Sequence, residues 1–202
     1  MKKIESDYID KYGDIKRNDV DRLLDIMNNL KLSNKDKDNL FINMKFIKSI
    51  KWSRISFTIY LLPKSTPRPR HNMLRNTFYV IGAKDNKDIF KKFICNLDYD
   101  MITTPCKFTC VSYLPIPSGM NKIEKILSEL GLIRPIVKPD WDNLGKTYSD
   151  MIQGTLLFDD SLIIEGVSKK YYSFKPRIEI IIDYMDEHDS MFNTKKMRKK
   201  VE

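Results

Sequence analysis

Pro63, Pro67 and Pro69 place three prolines within seven residues. Proline lacks an amide hydrogen, fixes its own φ, and pushes the residue before it toward extended backbone. No helix can therefore run through Pro63-Lys64-Ser65-Thr66-Pro67-Arg68-Pro69-Arg70-His71, and the chain must be organised on either side of an extended connection. Before it, Val20, Leu23, Leu24, Met27 and Leu30 recur at threes and fours, which predicts a helix over 16–31, with Asn18 and Asp21 resembling its N-terminal cap. A second helix is expected from Ser33, carrying Leu40, Phe41, Met44 and Ile47. Ile55, Phe57 and Ile59 then alternate along 54–62 as a strand does.

Beyond the prolines the elements stay short. The expectations are a strand at 76–81 and a helix at 85–97 with Ile89, Phe93 and Ile94 on one face. A strand follows at 106–114, ended by Pro115 and Pro117, then a helix at 121–130 closed by Gly131. A proline-containing linker over 134–139 leads to a helix from Asp142 to Gln153 that stops at Gly154, and strands at 162–172 and 178–184 finish the series. The order α-α-β-β-α-β-α-α-β-β is that of an α+β domain. We divide the chain into an N-terminal helical extension (1–50), one α+β domain (51–185) and a basic tail (186–202) with Lys195, Lys196, Arg198, Lys199 and Lys200.

The net charge is +9, which favours a polyanionic partner, nucleic acid before an anionic membrane surface. No window approaches the roughly 18 apolar residues of a membrane span. The first residues are charged rather than apolar, so a cytoplasmic protein is expected. Cys95, Cys106 and Cys110 are odd in number, which argues against a disulfide framework. Cys106 and Cys110 sit in one strand, about 13 Å apart at strand rise, too far to chelate one metal; they read as buried, reduced thiols.

Against this basic background, residues 140–160 hold five carboxylates (Asp140, Asp142, Asp150, Asp159, Asp160) and one cation, Lys146, a local charge of −4. An acidic island suits a phosphate partner only if divalent cations lie between the two. In extended backbone Asp140 and Asp142 share a face. Asp142 and Asn143 fall where a helix begins, an electropositive end. Lys146 follows Asp142 by one turn. After Gly154 the chain can bring Asp159 and Asp160 back to the same place. Oxygen-only donors suit Mg²⁺ or Mn²⁺, and the window has no His or Cys for zinc. The plainer alternatives are a helix cap at Asp142, a turn at Asp159-Asp160, and a surface ion pair between Lys146 and Asp150.

The stretch Lys138-Pro139-Asp140-Trp141-Asp142-Asn143-Leu144-Gly145-Lys146, with Asp150, Ile152, Gly154, Asp159-Asp160, Lys170 and Pro176-Arg177, resembles the RusA family of Holliday junction resolvases over about residues 54–184. The resemblance implies a single domain with a small mixed sheet packed by helices. It implies metal-binding catalytic positions at Asp140, Asp142 and Asp160, Asp159 as a further carboxylate, and a catalytic lysine at Lys146. It also implies a homodimer acting on four-way DNA junctions in recombination and repair, in a phage or prophage setting. The family often has Gln two residues after the second Asp of its pair, where this chain has Leu162. The N-terminal helices and the tail lie outside the resemblance.

Lys64, Arg68, Arg70 and Arg75 form a basic, proline-stiffened loop suited to phosphate contacts, to which Lys138, Lys169 and Lys170 are added. Trp141 and Tyr148 read as packing residues in preference to DNA contacts, and His71 and His188 as having no chemical role. Together these features describe a Mg²⁺-dependent endodeoxyribonuclease acting on branched DNA. Two other classes stand beside it: a noncatalytic branched-DNA-binding protein with the same fold, and a Mg²⁺-dependent hydrolase of nucleotides.

Overall fold

The computed structural model describes residues 17–66, 70–72, 77–79 and 84–186, with side chains excepted at 17–21, 70–72, 77–79 and 84–87. The chain divides after Lys51 into two compact units. In the first, α1 (Arg17–Asn29) and α2 (Asn34–Ser49) surround a small cluster of Met27 and Phe41, with Leu23, Leu24, Leu32, Leu40 and Met44 packed around it. Ser33 caps α2 through a reciprocal capping box with Asp36, which satisfies two otherwise unpartnered amides. Helix α1 already includes Arg17, so Asn18 lies inside it rather than at its cap. Leu30, expected on the apolar stripe, falls beyond the helix and is exposed.

The second unit contains β1 (Trp52–Ile59), β2 (Arg70–Asn72), β3 (Thr77–Tyr79), α3 (Lys84–Cys95), β4 (Cys106–Pro115), α4 (Lys122–Glu129), α5 (Trp141–Ile152), a 3₁₀ turn (Asp160–Leu162), β5 (Ile163–Ser173) and β6 (Arg177–Met185). The architecture is α+β. Four strands form one mixed sheet in the order β1-β6-β4-β5, in which β4 and β5 run parallel and the other neighbours antiparallel. The short pair β2–β3 forms a separate ribbon. Strand β2 was not anticipated; it occupies the end of the segment read as extended connection.

Register explains the core. Phe57 stands opposite Ile180, Ile55 opposite Ile182 and Ile59 opposite Ile178, while Cys110 faces Ile180 and Phe108 faces Ile182 from the other side. Because side chains alternate across a sheet, these residues share one face. They are buried there with Phe90 and Ile94 of α3 and Leu144, Tyr148, Met151 and Ile152 of α5. Helix α3 turns Phe90 and Ile94 inward, with Phe93 packed beside them. Ile89, expected on that face, is exposed. The apolar stripe starts one residue later than the spacing suggested.

Cys106 and Cys110 are buried on the helix-covered face, and Cys95 is exposed. Burial pushes the Cys106 thiol up to about 11 and the Cys110 thiol up to about 12. Both remain protonated near neutrality and behave as small apolar groups.

The opposite sheet face is polar. Arg54, Asp183, Lys107 and Glu165 stand in one transverse row by register. Arg54 pairs with Asp183 at 2.6 Å and Lys107 with Glu165 at 2.8 Å. These pairs are solvent-exposed, so water screens them and each adds little to stability. Near the far end of β4 and β5, Arg134 lies 3.7 Å over the Tyr171 ring, Tyr171 stacks on Tyr113, and Arg177 lies 3.6 Å over Tyr113. This layered stack ties the segment after α4 to β5.

Candidate active site at the start of α5

Helix α5 carries three kinds of residue on three faces. Leu144, Tyr148, Met151 and Ile152 point into the core. Asn143, Thr147 and Tyr148 face the segment after β1: the Lys64 amide donates to the Tyr148 hydroxyl at 3.1 Å, and the Thr66 amide donates to the Thr147 hydroxyl at 2.8 Å. Asp142, Lys146 and Asp150, spaced by fours, form an exposed line. The proline-rich segment is thus fastened at Lys64 and Thr66 to the helix that bears Asp142 and Lys146. Tyr148 is 2% exposed, and burial holds its phenol protonated well above the usual range. It packs, as expected.

Asp140 is the N-cap of α5. Its backbone is extended (φ −67°, ψ 144°), and its carboxylate makes no capping hydrogen bond. Asp142 lies in the first turn, where the helix end favours negative charge. Asp140, Asp142 and Asp160 are all exposed. Asp159 caps the 3₁₀ turn, its Oδ1 accepting from the Ser161 amide at 3.0 Å, in keeping with a turn role. Lys146 pairs with Asp150 at 3.3 Å, with side chains 70% and 46% exposed; this is the ion pair that the spacing allowed.

The sequence led us to expect Asp159 and Asp160 to return to Asp140 and Asp142. Among the described residues no three Asp, Glu, His or Cys side chains are grouped to hold a metal ion. Asp140 and Asp142 stand at the start of α5, and Asp159 and Asp160 at the 3₁₀ turn before β5. The donor chemistry at the first pair still fits a hard divalent cation: oxygen ligands only, exposed, with Asp140 not engaged in capping its helix. Mg²⁺ takes one or two carboxylates and completes its shell with water and substrate phosphate, so Asp140 and Asp142 are a sufficient protein contribution.

The basic residues are placed less uniformly than expected. Lys64, Lys138 and Lys169 are exposed. Arg68 and Arg75 lie outside the described residues, as do His188 and the 195–200 run, and Arg70 and His71 are described as strand backbone only. Lys169 and Lys170 are neighbours in a strand and so point to opposite faces. Lys170 turns toward α5, where its ammonium donates to the carbonyls of Val137 and Pro139, each at 2.9 Å. Two of its donors are thus directed to backbone. Trp141, expected to pack, is 61% exposed. Its carbonyl accepts from the Ser168 hydroxyl at 2.6 Å.

Ser168 escaped the sequence reading, and Arg177 entered it only as part of the Pro176-Arg177 pair. Ser168 faces Gly145 so closely that a Cβ built on the glycine would lie 3.1 Å from the Ser168 Cβ. Arg177 stacks on Tyr113, pairs with Glu179 at 2.7 Å and donates to the Ser173 hydroxyl at 3.2 Å. The strand pattern alone could have placed Ser168 on the same face as Lys170. Nothing local signals the Arg177 stack, because its partners come from another strand.

Comparison with known proteins agrees with this arrangement. The protein YqaN of Bacillus subtilis (strain 168), itself described as uncharacterized, is 30% identical over 135 residues, covering 63% of this chain and 94% of that protein. The family described as endodeoxyribonuclease RusA matches residues 61–183, a span that runs from the end of β1 through the Asp140–Lys146 segment and the Asp159-Asp160 pair into β6. This chain belongs to the RusA endodeoxyribonuclease family.

Proposed function

We propose that this protein is a Mg²⁺-dependent endodeoxyribonuclease that resolves Holliday junctions and related branched DNA by paired nicks, in recombination and repair. The observation that carries the reading is an Asp140 carboxylate unused by its own helix cap, beside an Asp142 that lies one turn from Lys146, within a chain of this nuclease family. Asp140 and Asp142 would hold the metal, with Asp160 and its neighbour Asp159 joining them in the metal-bound state; Mn²⁺ substitutes for it. When bound, such a metal supplies an activated water and neutralises charge on the scissile phosphate.

The protein's own groups do the rest. The Lys146 ammonium offsets negative charge as it accumulates at the reacting phosphate. Lys64, Lys138 and Lys169, with Arg68, Arg70 and Arg75, contact the DNA backbone and set its position without reading sequence. The protein acts as a homodimer, because two symmetric sites match a near-twofold junction.

The metal requirement is tested by incubating the protein with a synthetic four-way junction in Mg²⁺, in Mn²⁺, and in excess chelator. Cleavage is expected with either metal and absent with chelator. Full cleavage in chelator would overturn the metal mechanism. Tight junction binding with no cleavage in any metal would make the protein a noncatalytic junction binder.

A further inference from the structure

The segment that delivers Asp140 has little of its own to hold it. Residues 134–140 belong to no helix or strand. Pro135 is buried, but Ile136 is 95% exposed and Val137 is also exposed, so apolar burial does not fix the stretch from 136 to 138. Two successive inward-facing side chains of β5 do. Lys170 donates to the carbonyls of Val137 and Pro139, and Ser168 donates to the carbonyl of Trp141. The carbonyls of Val137 and Pro139, just before α5, and of Trp141, its first residue, are thus held from one strand, and Asp140 and Asp142 are interleaved with the last of them. Tyr171, the next residue of β5, carries the stacked Arg134, so the segment is followed by β5 along its length. Gly145 completes the fit, since the absence of its Cβ lets α5 approach Ser168.

We propose that Lys170 and Ser168 are positioning residues of the nuclease reaction: they set the carboxylates of Asp140 and Asp142 by clamping the backbone on either side of Asp140, and Lys170 acts through this clamp rather than on DNA phosphate. The inference rests on the nuclease reading above. An ammonium has three donors and no acceptor, so two carbonyls at 2.9 Å use most of its hydrogen-bonding capacity. A planar guanidinium cannot reproduce the same two contacts from the same position, so arginine should not replace it.

The test uses the full chain carrying Lys170→Met, Lys170→Arg or Ser168→Ala. Three quantities are read: Mn²⁺ affinity of the DNA-free protein by calorimetric titration, single-turnover cleavage at saturating junction, and junction affinity across a salt series. For Lys170→Met we expect Mn²⁺ affinity to fall by at least about fivefold and the cleavage rate by at least about tenfold, the low end for a lost partner behind a metal ligand. Higher metal concentration should recover part of the rate. The salt slope of junction binding should be unchanged. Lys170→Arg should fail to rescue although it keeps the charge, and Ser168→Ala should move the same two quantities by a smaller factor.

A phosphate contact gives the opposite pattern: the salt slope drops by about 1, cleavage at saturating DNA persists, and arginine rescues. That pattern, or unchanged Mn²⁺ affinity and rate in both Lys170→Met and Ser168→Ala, overturns the inference. If Lys170→Met does not fold, Ser168→Ala decides alone. Wild-type protein that neither binds Mn²⁺ nor cuts a junction overturns the nuclease reading itself, and the inference with it.

Discussion

Replacing Asp140 or Asp142 by Asn is expected to abolish junction cleavage, a fall of at least about 1,000-fold, while junction binding stays the same or tightens. An amide fills the same space but cannot neutralise a divalent cation, and the reaction loses the charge that holds the metal against phosphate. Removing a negative charge near the DNA backbone removes a repulsion. The fold should be nearly untouched. Asn is as good an N-cap as Asp, and Asp140 makes no capping hydrogen bond to lose. Asp142 gives up a favourable interaction with the start of α5 worth about 0.3–1 kcal/mol. Single-turnover cleavage measured beside a gel-shift titration checks both variants. An Asp142→Asn protein that cuts at the wild-type rate would reduce Asp142 to a first-turn helix carboxylate.

Truncating Lys146 should separate catalysis from stability and from binding. Its ammonium pairs with exposed Asp150, an i,i+4 interaction worth about 0.3–0.5 kcal/mol, and alanine is the better helix former. Lys146→Ala should therefore leave the unfolding midpoint almost unchanged. The cleavage rate at saturating junction should fall by at least about 100-fold, as expected when a stabiliser of transition-state charge is removed. Affinity should change by less than about tenfold, because one phosphate contact among many is lost. A contact made only in the transition state lowers the rate constant more than the affinity. Equal losses in rate and affinity would make Lys146 a plain DNA contact. No loss in either would leave it as a surface partner of Asp150.

The parts of this molecule that follow local rules were readable in the sequence. Ser33 with Asp36 and Asn121 with Glu124 are capping boxes that start α2 and α4. Gly131 and Gly154 stop the following turns at positive φ, 71° and 75°, where a Cβ would be strained. Alternation at Ile55, Phe57 and Ile59 identified β1. What stayed hidden depends on distant partners. The β2–β3 ribbon needs a pairing that a proline-rich segment does not advertise. The exposure of Trp141 follows from which face of α5 meets the sheet. A glycine lets the chain reverse between Asp142 and Asp160, but reversal alone does not fix where Asp160 arrives. Lys170 shows the limit most clearly. Beside Lys169 it reads as part of a basic patch, whereas strand alternation and the bare carbonyls of 137–139 turn it inward.

Selective cutting of branched DNA is measured most directly by comparing a fixed four-way junction with linear duplex of the same sequence under identical Mg²⁺ and salt. Paired, symmetrically related nicks are expected in the junction, with little cleavage of the duplex. Equal cleavage of both substrates, or cleavage of the duplex alone, would contradict that selectivity.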